Sequence, residues 1–212
     1  MPMTSDKMHC LICFKSLYEE VSLKNLLSLN VCICKECQNK FKKINNNKTT
    51  FYDIKVTFLY EYDDFMKELI YRYKGCYDII LKDSFLFEYK RKIKFKYHNY
   101  ILIYPPSSKS EDEKRGFNHM QEIASCLSKR NQNIFYKKID YKQSDQIYAN
   151  RSLIKNVIDI KKNIIINPNK KYLIIDDIFT SGSTFKCIVD LLIAKKVKKE
   201  NIRGLFISRT NH

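Results

Sequence analysis

The sequence predicts an α/β fold, a doubly wound parallel sheet behind a small N-terminal cysteine module. Three observations carry this expectation. After about residue 55, apolar β-prone runs alternate with helical periodicities, the pattern of strands joined by helical crossovers. One stretch, Lys171 to Thr184, passes from a buried strand through a Thr/Ser/Gly turn into a helix. Five of the eight cysteines fall between Cys10 and Cys37, four of them as two Cys-x-x-Cys pairs.

Cys10-x-x-Cys13 and Cys34-x-x-Cys37 have the spacing of a four-thiolate zinc site, in which each pair turns two sulfurs toward one tetrahedral ion. So short a segment builds no core of its own, and metal would supply folding energy. Cys32 can replace Cys34, and His9 is a weaker substitute for Cys10. The module is expected to span 1–45 and the α/β domain 55–212, with the polar, basic run 38–50 as a linker. Cys76, Cys126 and Cys187 read as core fillers.

Val56 to Tyr62 reads as a strand, after which Asp63 or Asp64 caps a helix with Phe65, Leu69, Ile70 and Tyr73 on one face. A mostly helical segment follows from about Asp78 to Lys94. Tyr100 to Tyr104 is a strand stopped by Pro105-Pro106, and the charged run Ser110 to Arg115 reads as a loop. A helix is expected from His119 to about Arg130, a strand from Ile134 to Lys138, and a long loop from Asp140 to Asn156. Ile202 to Ser208 is the last strand.

The most informative stretch is the strand Tyr172 to Ile175, which ends in Asp176-Asp177 and the turn Thr180-Ser181-Gly182-Ser183-Thr184. Backbone N–H groups of the turn and the positive end of the following helix make an anion site, and Gly182 permits close approach. Ser183 or Thr184 is expected to cap that helix. Two carboxylates beside a phosphate cradle make sense if they face sugar hydroxyls or a magnesium hydration shell. The local chemistry therefore suggests a ribose phosphate. A Walker loop is excluded because Ser183, not Lys, follows Gly182, and four glycines in the whole chain leave no dinucleotide fingerprint.

Net charge is +16 and the pI near 9.4, a field that attracts polyanions, although lysine is also spread along the chain. Arg115, before a helix, and Lys74, beside Gly75, are candidate phosphate contacts. Their alternatives are a salt bridge with Glu111 to Glu113 and a plain solvated lysine. No apolar run approaches the roughly 18 residues of a membrane span. The first residues, MPMTSDKMHCLIC, lack a signal-peptide core, so no membrane insertion and a cytoplasmic location are expected.

The strand, Asp-Asp and Thr-Ser-Gly-x-Thr turn resembles the 5-phosphoribosyl-1-pyrophosphate (PRPP) loop of type I phosphoribosyltransferases, with Ser181 where a second Thr is more usual. The resemblance widens along the chain. The four cysteines, Tyr60-x-Tyr62, Tyr73-Lys74-Gly75, the proline strand end, Arg115-Gly116-Phe117-Asn118 and the PRPP-type loop occur in the order seen in ComF-type competence proteins. The chain departs from that family in having Tyr104-Pro105-Pro106 for Pro-Val-Pro. Gln146, Arg151 and Asn156 match a further family pattern only loosely.

The resemblance implies a phosphoribosyltransferase-like domain with an N-terminal zinc ribbon. Asp176 and Asp177 would face ribose hydroxyls, Thr180 to Thr184 would hold the 5-phosphate, Pro105 and Arg115 would meet the ligand, and magnesium would travel with PRPP. It implies a role in natural transformation: binding single-stranded DNA, through residues such as Lys74 and Arg115, and helping it into recombination beside partners such as a DNA helicase. The alternative is a PRPP-dependent transferase with an acceptor that no residue here identifies.

Overall fold

The computed structural model describes residues 9–17, 32–45, 47–138 and 158–210. The architecture is the expected α/β one, a mostly parallel sheet with a cysteine cluster at its N-terminal end. Eight strands are described: β1 (Lys48–Phe51), β2 (Ile54–Glu61), β3 (Tyr100–Ile103), β4 (Asn131–Gln132), β5 (Phe135–Lys137), β6 (Ile158–Ile160), β7 (Lys171–Phe179) and β8 (Ile202–Arg209). The helices are α1 (Lys35–Asn39), α2 (Asp64–Gly75), α3 (Lys90–Lys96), α4 (Lys109–Arg115), α5 (His119–Ser125) and α6 (Ser183–Ala194). Short 3-10 turns lie at Ile79–Asp83 and Lys199–Asn201.

The main sheet runs β1-β2-β8-β7-β3-β4, parallel throughout except for the β1–β2 hairpin. Strand periodicity splits the core in two. Leu173, Ile175, Leu205 and Ile207 face one way, onto α2, α5 and the cysteine module; Tyr172, Ile174, Ile202 and Phe206 face the other, onto α6. The alternation slips at the acid pair, for Ile178 packs with the first cluster and Phe179 with the second.

One local signal acts as the sequence suggested. Asp63 caps α2, its carboxylate accepting from the Met66 amide at 3.0 Å. Asn118 caps α5 by accepting from Gln121 at 2.9 Å. Other expectations need correction. The supposed linker 38–50 contains buried Phe41, stacked among Tyr60, Phe65 and Phe87, and continues into β1. The segment Ser110 to Arg115 is helical: acids in its first turn and bases in its last suit the helix dipole, and Gly116 ends it at φ +78°. The next helix stops at Ser125, where Cys126 and Leu127 close it with 3-10-type bonds.

The strand expected over Ile134 to Lys138 leaves the main sheet and pairs antiparallel with β6 as a separate ribbon. The last main-sheet place goes instead to β4. The expected loop Asp140 to Asn156, with Gln146, Arg151 and Asn156, lies outside the described residues. Among those described, no helix is long and apolar enough to cross a membrane.

Candidate functional site

β7 lies between β8 and β3, and its carboxyl end carries the acid pair into the turn that starts α6. Helix α6 begins after Gly182, which itself holds the N-cap place with φ +72°. Neither Ser183 nor Thr184 caps it, because the chain enters the helix through the left-handed region, which favours glycine. A Cβ at Gly182 would stand 2.5 Å from Phe51 and 2.7 Å from Phe179. Conformation and space both select glycine here, and the crowding comes from two aromatic rings. Thr180 and Ser181 are exposed at the turn, with Ser181 and Ser183 hydroxyls 2.8 Å apart. First-turn amides of α6 have no intrahelical acceptor, so this is a donor-rich corner.

Two other elements reach Asp177, and a third braces them. Lys74, at the end of α2, forms an ion pair with its Oδ2. His119, the first residue of α5, brings Nε2 to 3.6 Å from the same oxygen. Arg115, at the end of α4, donates to the Lys74 carbonyl at 3.1 Å, to Asp112 at 3.3 Å, and to Nδ1 of His119 at 3.2 Å. An acceptor Nδ1 requires the proton on Nε2, toward Asp177.

The electrostatics follow from burial. Desolvation would raise the Asp177 carboxyl, but the Lys74 ammonium, and behind it His119, hold it below the ordinary carboxylate range. Asp176 is pushed up to about 8, first by burial and then by the negative charge of Asp177 beside it. His119 is brought down to about 3 by burial and by the Lys74 charge, so the ring is neutral. Desolvation works against the Lys74 charge, and Asp177 more than restores it. The acid pair thus rests with one carboxylate ionised and one protonated.

The loop after β3 is tied to the same group. Ser107 donates to Asp112, and Asn118 Nδ2 donates to Ser107 Oγ at 2.6 Å and to Asp112 at 2.9 Å. This lattice fixes the Pro105 turn against the Arg-Gly-Phe-Asn segment at the carboxyl end of β3. Arg115 is only 6% exposed, bonded to Asp112 from within the acidic run that the sequence offered as its alternative partner. His119 is not marked as a site residue by the sequence, and Asn118 enters only through the Arg-Gly-Phe-Asn match. The i, i+4 spacing of Arg115 and His119 across the glycine was the available signal. Beside the network an open cleft of about 690 Å³ is bounded by Tyr62, Tyr71, Lys74, Glu111, Arg115 and His119.

The four cysteines meet on the other side of α2. The Sγ atoms of Cys10, Cys13, Cys34 and Cys37 all lie within 4.8 Å of one another, three of the residues being buried. Such a set suits a tetrahedral thiolate site. Burial opposes ionisation of Cys10, yet amides of Cys13, Cys34 and Ile12 bring its thiol down to about 7. Cys32 stands apart, with its Sγ 3.9 Å from the Asp83 carbonyl and its thiol raised to about 11 by burial. The module is joined to the site helix by Arg72, which donates to the Ile12 carbonyl at 2.8 Å and pairs with Asp78.

No protein-family model matches the chain. It is 25% identical to competence protein ComFC of Bacillus subtilis over 218 aligned residues, covering 89% of this chain and 90% of that one. With competence protein ComFC of Streptococcus pneumoniae the identity is 24%, over 87% and 93% of the two chains. The crystal structure of a hypoxanthine phosphoribosyltransferase from Staphylococcus aureus matches at TM-score 0.34 and 17% identity, over 60% of this chain and 61% of the enzyme. In sequence the chain is similar to the ComFC competence proteins over most of their length, and it carries a four-cysteine cluster ahead of a mostly parallel α/β sheet.

Proposed function

We propose that the protein acts in natural transformation, binding a ribose phosphate of the PRPP class and handling single-stranded DNA on its way to recombination. The observation that carries the ligand reading is the strand β7, which delivers Asp176 and Asp177 to the mouth of the Thr180–Thr184 turn and the start of α6. The carboxyls face the ribose hydroxyls, and the turn amides and hydroxyls hold the 5-phosphate. Pro105 and Arg115 border the ligand. Magnesium bound with PRPP would offset phosphate charge near the acids. In the absence of ligand, Lys74 and His119 hold Asp177 in place.

Zinc is the metal that four clustered thiolates fit, and Cys10, Cys13, Cys34 and Cys37 would hold it in a structural role. The DNA role, with recombination partners such as a helicase, draws on kinship with ComFC competence proteins and on the +16 charge. Turnover of PRPP onto an acceptor is the second reading. The open cleft beside Lys74, Arg115 and His119 favours it, since an acceptor there would lie next to the ribose.

Calorimetric titration of PRPP with magnesium tests the ligand reading, using zinc-loaded protein and the Asp176→Asn/Asp177→Asn variant. Saturable binding lost in the variant is the expected result. A folded wild type that takes up no PRPP would overturn it. Release of pyrophosphate only when an acceptor is added would move the assignment to an enzyme.

A further inference from the structure

We infer that the amino-terminal edge of the parallel sheet, centred on α3 and Phe95, is a docking surface for single-stranded nucleic acid. The inference rests on the DNA-handling reading above and gives it a location. It starts from a local imbalance of charge. Helix-to-strand connections of a parallel sheet all emerge at this edge. The segments KRKIKFKYHNY (90–100), SKR (128–130) and KK (170–171) contain no carboxylate. Structure brings them together: the Tyr100 amide donates to the Tyr97 carbonyl, Leu102 donates to the Arg130 carbonyl, and Lys171 lies over the Tyr100 ring at 5.9 Å.

Arg91, Lys92, Lys94, Lys96, Lys129 and Arg130 are all exposed. Among the described residues none of these six has an acid within ion-pair distance, and Lys90 alone on α3 is matched, by Asp83 at 3.1 Å. By contrast, the charges of Lys74 and Arg115 are already committed to Asp177 and Asp112. These six unmatched cations gather at the edge remote from Asp176. Five residues of β7, at about 3.3 Å each, put roughly 17 Å between Lys171 and Asp176.

A second feature selects the polyanion. Helix α3 turns Ile93 and Tyr97 into the core but leaves Phe95 85% exposed, with no aromatic neighbour among the described residues, in the middle of the cations. An uncovered ring among phosphate-binding groups is the stacking platform of single-strand binders, because every base presents a face to it. Beside it a small cavity of about 210 Å³, bounded by Lys94, Tyr97, His98, Leu127 and Ser128, has room for one base. An anionic membrane would need more apolar area than one ring on a seven-residue helix. A paired duplex would leave the ring no free base face to stack on.

The test is fluorescence anisotropy of a labelled 20-nucleotide oligothymidylate with the full zinc-loaded chain, titrated at several salt concentrations. Phe95→Ala should weaken binding about 5- to 100-fold with an unchanged salt slope, since it removes stacking alone. Lys92→Gln/Lys94→Gln/Lys96→Gln should lower the slope of log affinity against log salt by about 2, at about 0.7 per lost phosphate contact. Both variants alter exposed side chains, and retained PRPP affinity and melting temperature would show them intact. Wild-type binding that neither variant weakens would overturn the surface and leave the DNA-handling reading standing. Failure of the wild type to bind the oligonucleotide would overturn both. Phe95-dependent binding to phosphatidylglycerol vesicles without oligonucleotide binding would reassign the surface to membrane.

Discussion

The ammonium of Lys74, on the last turn of α2, forms an ion pair with Oδ2 of Asp177 on β7, and both groups are largely withdrawn from solvent. Removing one member of such a pair leaves an uncompensated charge in a poor dielectric. Lys74→Met should therefore destabilise the protein by about 3 kcal/mol. Lys74→Met/Asp177→Asn should recover most of that loss. Urea unfolding of the single and double variants measures both; costs that simply add would show that the two groups are not coupled.

Asp176 provides a pH test. Its folded pKa, about 8, lies above the ordinary value of 3.8. A raised acid stabilises the fold below the ordinary pKa and loses that contribution as pH climbs through the folded one. Asp176→Asn should accordingly raise the melting temperature at pH 8.5 by a few degrees relative to wild type, and change little at pH 4. A ligand that favours the ionised acid must expel its proton. Magnesium-PRPP binding at pH 7 should release up to one proton per site, read as buffer-dependent heats in calorimetry.

His119 titrates with the opposite sign. Its pKa is depressed to about 3, so the neutral ring's contribution is present above the ordinary value of 6.5 and declines as pH falls toward 3. In an NMR titration its ring protons should not shift between pH 5 and 8.

Gly182 should tolerate no side chain. Gly182→Ala imposes a left-handed alanine and drives a methyl into Phe51 and Phe179, a combined cost of about 2–4 kcal/mol. Adding Phe51→Ala opens space without changing φ, so the double variant should regain the turn only in part. Thermal unfolding, with PRPP calorimetry on each variant, checks this.

The cysteine cluster predicts a metal count. Purified protein should carry about one zinc per chain, and a strong chelator should lower its melting temperature. Cys37→Ser should lose the metal, and Cys32→Ser should keep it, because Cys32 points to the Asp83 carbonyl and not into the cluster. Elemental analysis distinguishes the two.

Much of this was legible in the sequence because the signals were local. Strand β7 and its turn are contiguous, Asp63 caps the helix that follows it, and the paired Cys-x-x-Cys spacing places its own sulfurs. What could not be read depends on contacts between distant segments. Phe41 sits in a polar, Asn-rich run, and only the rings of Tyr60, Phe65 and Phe87 make it core. The protonation of Asp176 and the neutral His119 arise from four elements meeting at one point, which no window of sequence contains. Helix α4 is a different case: acids first, bases last and a closing glycine were present, but a run without apolar residues was read as a loop.

The order of the sheet also governs how the molecule comes into being during synthesis. Strand β2 is among the first to leave the ribosome, yet its parallel partner is β8, Val56 aligning with Gly204 and Tyr60 with Ser208. Until that last strand emerges, one edge of β2 stays unpaired, and β7 likewise lacks its neighbour on that side. Contacts of such long sequence separation close slowly. Nascent chains cut short before β8 therefore hold an open apolar edge and invite chaperones or aggregation. The seam between β2 and β8 delays closure of the sheet until both strands have emerged.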